Sequence, residues 1–433
     1  MRPFLSISCR VAACRFPFRI FLIVSSMQQN APLRRLSWGQ VLLLGLISTI
    51  GPLATDMYLP AFPQLEHDLG HGPGSAQLTL ASWFVGLAVG QFCLGPLSDR
   101  FGRRGPLLIG LAGYALSSAL LAVTRNYDAF CWLRFLAALM GAITSVAPRA
   151  IVRDVATGHE AVRLMSQLTL VFGVGPILAP TLGSILLNFG NWRLIFWAST
   201  VAAALMLVFC AAIMPDTLAP EHRRRLPPIE ILRRYLSLVH EPVFITAALT
   251  SSFSTFVMFA YLSNAPQLFE QLLQFSPSTF AVFFGINACG FITATQINSR
   301  IAKRMSYIRI MEYGIGASLL CGMSLLIVSL SDLVGPADPF PLCALVVATT
   351  FTLGFIGPNA MVLAMTHHGH QAASASALLG TMAFSIGGSA AALMTFLPPG
   401  KLFSTPIGML VGILGMLLCN MWRRRRTAHL PSA

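Results

Sequence analysis

VLLLGLISTIGPLATDMYLPAFPQL, residues 41–65, is an apolar run long enough to cross a bilayer, and it contains a lone carboxylate, Asp56. A helix rises 1.5 Å per residue, so Asp56 is expected roughly 22 Å from the membrane face where the run begins. A carboxyl group at that depth costs ~3 kcal/mol or more, which marks the position as functional by default. A purely structural alternative is an Asp that caps a helix break before Pro60.

The rest of the chain agrees with a membrane setting. Of 433 residues, 55% are hydrophobic and 10% charged, and mean hydropathy is +0.71, too much apolar surface for one soluble core. The formal charge of +14 does not point to nucleic acid, because the basic residues sit in short clusters between apolar spans, where they act as topology signals. The nine cysteines are scattered singly, without a CxxC pair, and are read as packing residues.

Apolar spans predict helices near 41–62, 76–97, 106–124, 129–151, 164–187 and 193–214, then 243–264, 278–298, 308–330, 340–364, 372–396 and 402–421. The expected organisation is an N-terminal tail (1–40), a six-helix bundle (41–214), a polar linker (215–242), a second bundle (243–421) and a basic tail (422–433). Lys and Arg concentrate on one side, at Arg34, Arg35, Arg100, Arg103, Arg104, the linker and Arg423 to Arg426, while Arg125, Arg193 and Lys401 fall on the other. The positive-inside rule then sets both termini in the cytoplasm. Residues 1–26 carry four arginines and no clean span, so translation is expected to begin at Met27.

The two halves look like copies. YLPAFPQL (58–65) faces YLSNAPQL (261–268) with five of eight positions identical, SDRFGRR (98–104) faces NSRIAKR (298–304), and APRAIV (147–152) faces GPNAMV (357–362). Near-constant offsets of 203, 200 and 210 indicate an internal duplication, the design that places a cavity between two halves. Asp56 has Phe259 as its counterpart, so the shared frame does not itself need an acid.

Three further features carry chemistry. Arg134, on the fourth helix, is expected at the level of Asp56, both roughly 8–9 Å below the outer face. Burial and a nearby guanidinium act on a carboxyl group in opposite senses, and a group balanced between them can exchange protons; a static ion pair joining helices one and four is the alternative. The loop GPLSDRFGRRGPLL (95–108) supplies Gly95, Asp99, Arg100, Gly102, Arg103 and Arg104, suited to latch two bundles at the cytoplasmic face. In the fifth helix, Gly173, Gly175 and Gly183 permit close packing, and Pro176 and Pro180 loosen backbone bonding.

GxLSDRxGRRxxL at 95–107 resembles the cytoplasmic signature of the major facilitator superfamily. Arg134 with Gly141 resembles its fourth-helix motif, and GVGPILAPTLG (173–183) its antiporter motif. TDMYLPAFPQL (55–65) and RAIVRD (149–154) are similar to the bicyclomycin-resistance and chloramphenicol-efflux branch, Bcr/CflA. The resemblance implies an all-α membrane protein of twelve helices in two pseudo-symmetric bundles, exporting small drug-like molecules against inward proton flow. Helix five departs from the pattern in having Ser184 after Gly183, and the second-half loop lacks the acid and the glycine of the first.

Tyr58, Asn264, Gln267, Asn287, Asn359 and Met382 are candidate substrate contacts, polar or soft groups on apolar segments. His367, His368 and His370 are read as a loop rather than a metal site. No GxxxxGK[ST] loop is present, which points to ions as the energy source. Asp56, Arg134 and Arg149 do not make a catalytic set, so neither an enzyme nor a cofactor is expected. The expected partners are a small-molecule substrate, protons and lipid, with a monomer in the bacterial inner membrane. An exporter or importer of a small metabolite such as an amino acid is the alternative on the same fold.

Overall fold

The computed structural model describes residues 36–427 except 73, 157, 219–222, 224–226, 332–334, 367–371 and 399. The histidine cluster and the expected start at Met27 lie outside the described residues. Each expected span is a helix: α1 (Trp38–Asp68, interrupted), α2 (Ser75–Phe101), α3 (Arg104–Val123), α4 (Tyr127–Val155), α5 (Gly158–Phe189) and α6 (Arg193–Ile213) in the first half. In the second are α8 (Pro242–Leu272), α9 (Pro277–Ile301), α10 (Tyr307–Leu330), α11 (Phe340–Met365), α12 (Ala372–Phe396) and α13 (Ser404–Thr427). The linker, expected as polar chain, contains a further helix, α7 (Pro228–Val239).

Local chemistry sets several helix starts. Ser37 and Gln40 form a reciprocal capping box at α1, and the side chains of Asn126, Glu241 and Ser276 accept the first free N–H groups of α4, α8 and α9. Lipid-facing sides are equally plain. Along α5, Leu170, Val174, Leu178, Leu182, Ile185 and Phe189 are exposed at helical spacing, a stripe that water would not tolerate and acyl chains accept.

Within the first half α2 packs on α4 and α3 on α6; within the second α8 packs on α11 and α13, and α10 on α11. The halves meet along α2 with α12 and α5 with α9. At the α2 seam the rings of Phe84 and Phe259 stack at 3.8 Å, and Phe384 joins them from α12. Phe259, the counterpart of Asp56, thus places an aromatic ring in the seam between the halves.

Candidate functional site

Three prolines shape α1 around Asp56. A proline cannot donate to the carbonyl four residues earlier, so Pro52, Pro60 and Pro63 leave the carbonyls of Ser48, Asp56 and Leu59 without their helical donors. The helix answers by breaking: it stops at Asp56, turns through Met57 and Tyr58, passes through a short 3₁₀ turn (Leu59–Ala61) and resumes at Phe62. The second half shares Pro63 as Pro266 but has Ser263 in place of Pro60. There α8 runs unbroken from Pro242 to Pro266 and loosens only into a π-turn at Gln267–Leu272. The acid and the break belong together, and both are confined to one half.

Arg134 is buried, 1% exposed, and its Nη1 donates to the carbonyl oxygen of Ala54 at 3.1 Å, in the last turn before the break. Its guanidinium lies over the rings of Tyr58 (4.3 Å) and Trp83 (4.5 Å). No ion pair joins it to Asp56 among the described residues, so the partnership expected from their common depth is corrected. The reason is helical phase. Ala54 and Tyr58 are four residues apart and share a side, whereas Asp56 is two residues from each and points about 200° away. Arg134 therefore belongs to the interior of the first bundle. Asp56, 6% exposed, belongs to the opposite side of α1, where α8 brings Tyr261 within its electrostatic reach.

The seat of the break is α5. A Cβ at Gly183 would stand 1.9 Å from the Met57 carbonyl oxygen, and one at Gly175 would touch Pro52 at 3.3 Å, while Gly173 faces Ile292 of α9. Pro176 and Pro180 are accommodated without interrupting α5. Ser184, at the position where the family pattern would have a second glycine, donates to the Pro277 carbonyl of α9 at 3.2 Å and ties the outer ends of the halves.

The other expected contacts are distributed as follows. Tyr58 is buried, bonded to the Thr79 hydroxyl at 3.0 Å and packed on Phe62 and Phe196, inside the first bundle. Asn264 donates to Thr405 at 2.6 Å and Asn359 to Asn298 at 2.7 Å, and Asn287 accepts from Thr350. These bonds join α8 to α13 and α9 to α11, so the three asparagines act as interhelical ties. Gln267 and Met382 are partly exposed. Tyr261, the repeat partner of Tyr58, is a neighbour of Asp56 that sequence reasoning missed; its buried hydroxyl lies beside the Asn287 side chain. The duplication was the signal that could have found it.

The charged loop after α2 also departs from expectation. Arg103 bridges Asp99 and Asp154 at 2.5 and 2.7 Å, its backbone N–H donates to Asp216, and Arg104 donates to the Ala211 carbonyl. Burial works against the Arg103 charge, but the two carboxylates outweigh it and hold the guanidinium more firmly protonated than usual. Gly102 has φ +91° and the Asp216 carboxylate 2.2 Å from where a Cβ would be, so only glycine suits it. Arg100 is exposed over the Phe101 ring. This network ties together α2, α4 and the end of α6, all in the first half; at Gly95, beside it, a Cβ would stand an ordinary 3.6 Å from Ala377 of α12 in the second half.

Residues 44–392 match the family model described as the Major Facilitator Superfamily. The chain is 33% identical to the uncharacterized MFS-type transporter YdgK of Bacillus subtilis (strain 168), over 80% of this chain and 85% of that one. It is 29% identical to a bicyclomycin resistance protein homolog of Haemophilus influenzae, over 80% and 86%. Among solved structures, a D-xylose-proton symporter superposes with a TM-score of 0.71 at 18% identity, covering 88% of this chain and 97% of that one.

Proposed function

Because the chain belongs to the Major Facilitator Superfamily, in its Bcr/CflA branch, and is a multi-pass membrane transporter rather than an enzyme, we propose that it exports small drug-like molecules in exchange for inward-moving protons, with Asp56 as the proton acceptor. The observation that carries this reading is the place of that carboxyl group: buried, at a proline-made break, on the side of α1 that faces the other half. A rearrangement of one half against the other changes what surrounds it. The resistance named for the Haemophilus relative supports a drug over a metabolite as cargo.

A proton arriving from outside neutralises Asp56, and the neutral state favours one orientation of the halves. Reorientation releases the proton inside, and the ionised state favours drug loading. Coupling requires only that proton and drug prefer different states. Arg134 acts as a positioning residue, holding the Ala54 carbonyl and hence the turn that presents Asp56. Gln267, Met382 and the part-exposed rings of Phe259 and Phe384 supply a soft, apolar wall for varied substrates. The transporter works as a monomer in the bacterial inner membrane with both termini in the cytoplasm.

The test is drug susceptibility in cells stripped of their own efflux pumps, with and without a protonophore. Wild-type protein is expected to protect only while the proton gradient stands, and Asp56→Asn to abolish protection at equal membrane abundance. Undiminished efflux by that variant overturns the role of Asp56.

A further inference from the structure

Deep in the first bundle, three N–H groups have no acceptor among the described residues: Nε and Nη2 of Arg134 and Nε1 of Trp83. Both side chains are 1% exposed, and the guanidinium carbon stands 4.5 Å from the Trp83 ring. Arg134 donates Nη1 to the Ala54 carbonyl, and the Tyr58 hydroxyl lies within reach of its guanidinium. No carboxylate pairs with it among the described residues, so a full positive charge is buried with no opposite charge beside it.

The aromatic faces of Tyr58 and Trp83, with the Tyr58 hydroxyl nearby, offset part of that charge but supply no negative charge. A buried cation with orphaned donors is unfavourable unless an acceptor, preferably a charged one, comes to it. Both residues line a small pocket enclosed by α1, α2, α3, α4 and α6, bordered by the side chains of Tyr114, Ser118 and Ser199 and otherwise largely apolar. It has room for a single small occupant, far less than any drug. Its free groups are donors, its net charge is positive and it is small.

We infer that this pocket binds a small inorganic monoanion of chloride size, held by Nε and Nη2 of Arg134 and Nε1 of Trp83. A single spherical anion accepts from several N–H groups at once and cancels the charge, whereas water supplies acceptors but no charge. The anion lies behind α1 on the side away from Asp56, and Arg134 links it through Ala54 to the break. Its occupancy therefore tightens the seat of helix one. This site stands or falls independently of proton coupling.

The test uses the full-length protein purified in detergent. Thermal unfolding is followed as sodium gluconate is replaced by sodium chloride or bromide at constant ionic strength. A saturable rise in melting temperature with the halides is expected, because gluconate is too large to enter. Arg134→Met is expected to abolish the rise. Should that variant not fold, Trp83→Phe keeps the ring, removes one donor and is expected to weaken the halide dependence several-fold. Crystals soaked in bromide should show anomalous density between Trp83 and Arg134. Equal melting in chloride and gluconate, bromide bound only at the surface, or water alone in the pocket would each overturn the assignment.

Discussion

Gly183 of α5 lies so close to Met57 of α1 that a Cβ on the glycine would stand 1.9 Å from the Met57 carbonyl oxygen. The atom in the way is backbone, at the turn that follows Asp56, and cannot swing aside as a side-chain tip could. Gly183→Ala is therefore expected to push the broken segment off its seat, destabilising the protein by about 1–3 kcal/mol and lowering efflux. Gly173→Ala is the control: its Cβ would meet Ile292 at an ordinary 3.7 Å. Melting temperature and drug resistance of the pair check this, and equal behaviour of the two variants would refute it.

The break itself depends on Pro60. Pro60→Ala restores an N–H that can reach the Asp56 carbonyl and removes a helix-breaking residue whose cost in a continuous helix is about 3 kcal/mol. The second half shows the outcome in advance, since Ser263 stands at the equivalent place in an unbroken α8. The variant is expected to melt at or above the wild-type temperature while exporting less drug. A fall in stability together with intact transport would show that the turn is not held for function.

What the sequence disclosed, and what it withheld, follows from the same geometry. The length of a bilayer crossing is a strong constraint, so all twelve spans were readable from hydropathy, and the rarity of an acid at depth singled out Asp56. Depth gives a residue's level but not its direction. Asp56 and Arg134 share a level, and only the phase of Ala54, Asp56 and Tyr58 around the helix shows that they face apart. The asparagines were visible as polar groups in apolar segments, but their partners Thr405, Thr350 and Asn298 are distant in sequence. Helix α7 was hidden by the surrounding arginines and prolines, although Ile231, Tyr235 and Leu238 recur at helical spacing.

Those asparagine partners separate tie from contact. Thr405→Val removes the acceptor of the Asn264 amide without touching the proposed passage, and an interhelical hydrogen bond in a membrane contributes about 0.6–2 kcal/mol. A lower melting temperature with an unchanged drug profile is expected. Gln267→Leu, in contrast, should alter which drugs are exported and leave melting nearly unchanged. A resistance panel run beside a melting curve distinguishes the two, and a changed drug profile in Thr405→Val would return Asn264 to the substrate path.

Tyr235 docks the linker helix α7 onto α2. Its hydroxyl donates to the Phe92 carbonyl at 3.4 Å, and its ring lies 4.9 Å from that of Phe92. Burial first, with Cys93 and Asp99 adding to it, pushes the phenol from 10.0 up to about 12. The docked helix thus favours the neutral phenol, so docking is at full strength below pH 10 and weakens as pH rises from there through about 12. Ionisation read by ultraviolet absorbance, taken as the difference between wild type and Tyr235→Phe, should show one phenol titrating near pH 12. The same pH rise should add a loosening step to the linker of wild type that Tyr235→Phe, lacking an ionisable hydroxyl, does not show. A difference curve centred near the ordinary value of 10.0 would mean that α7 is undocked in solution.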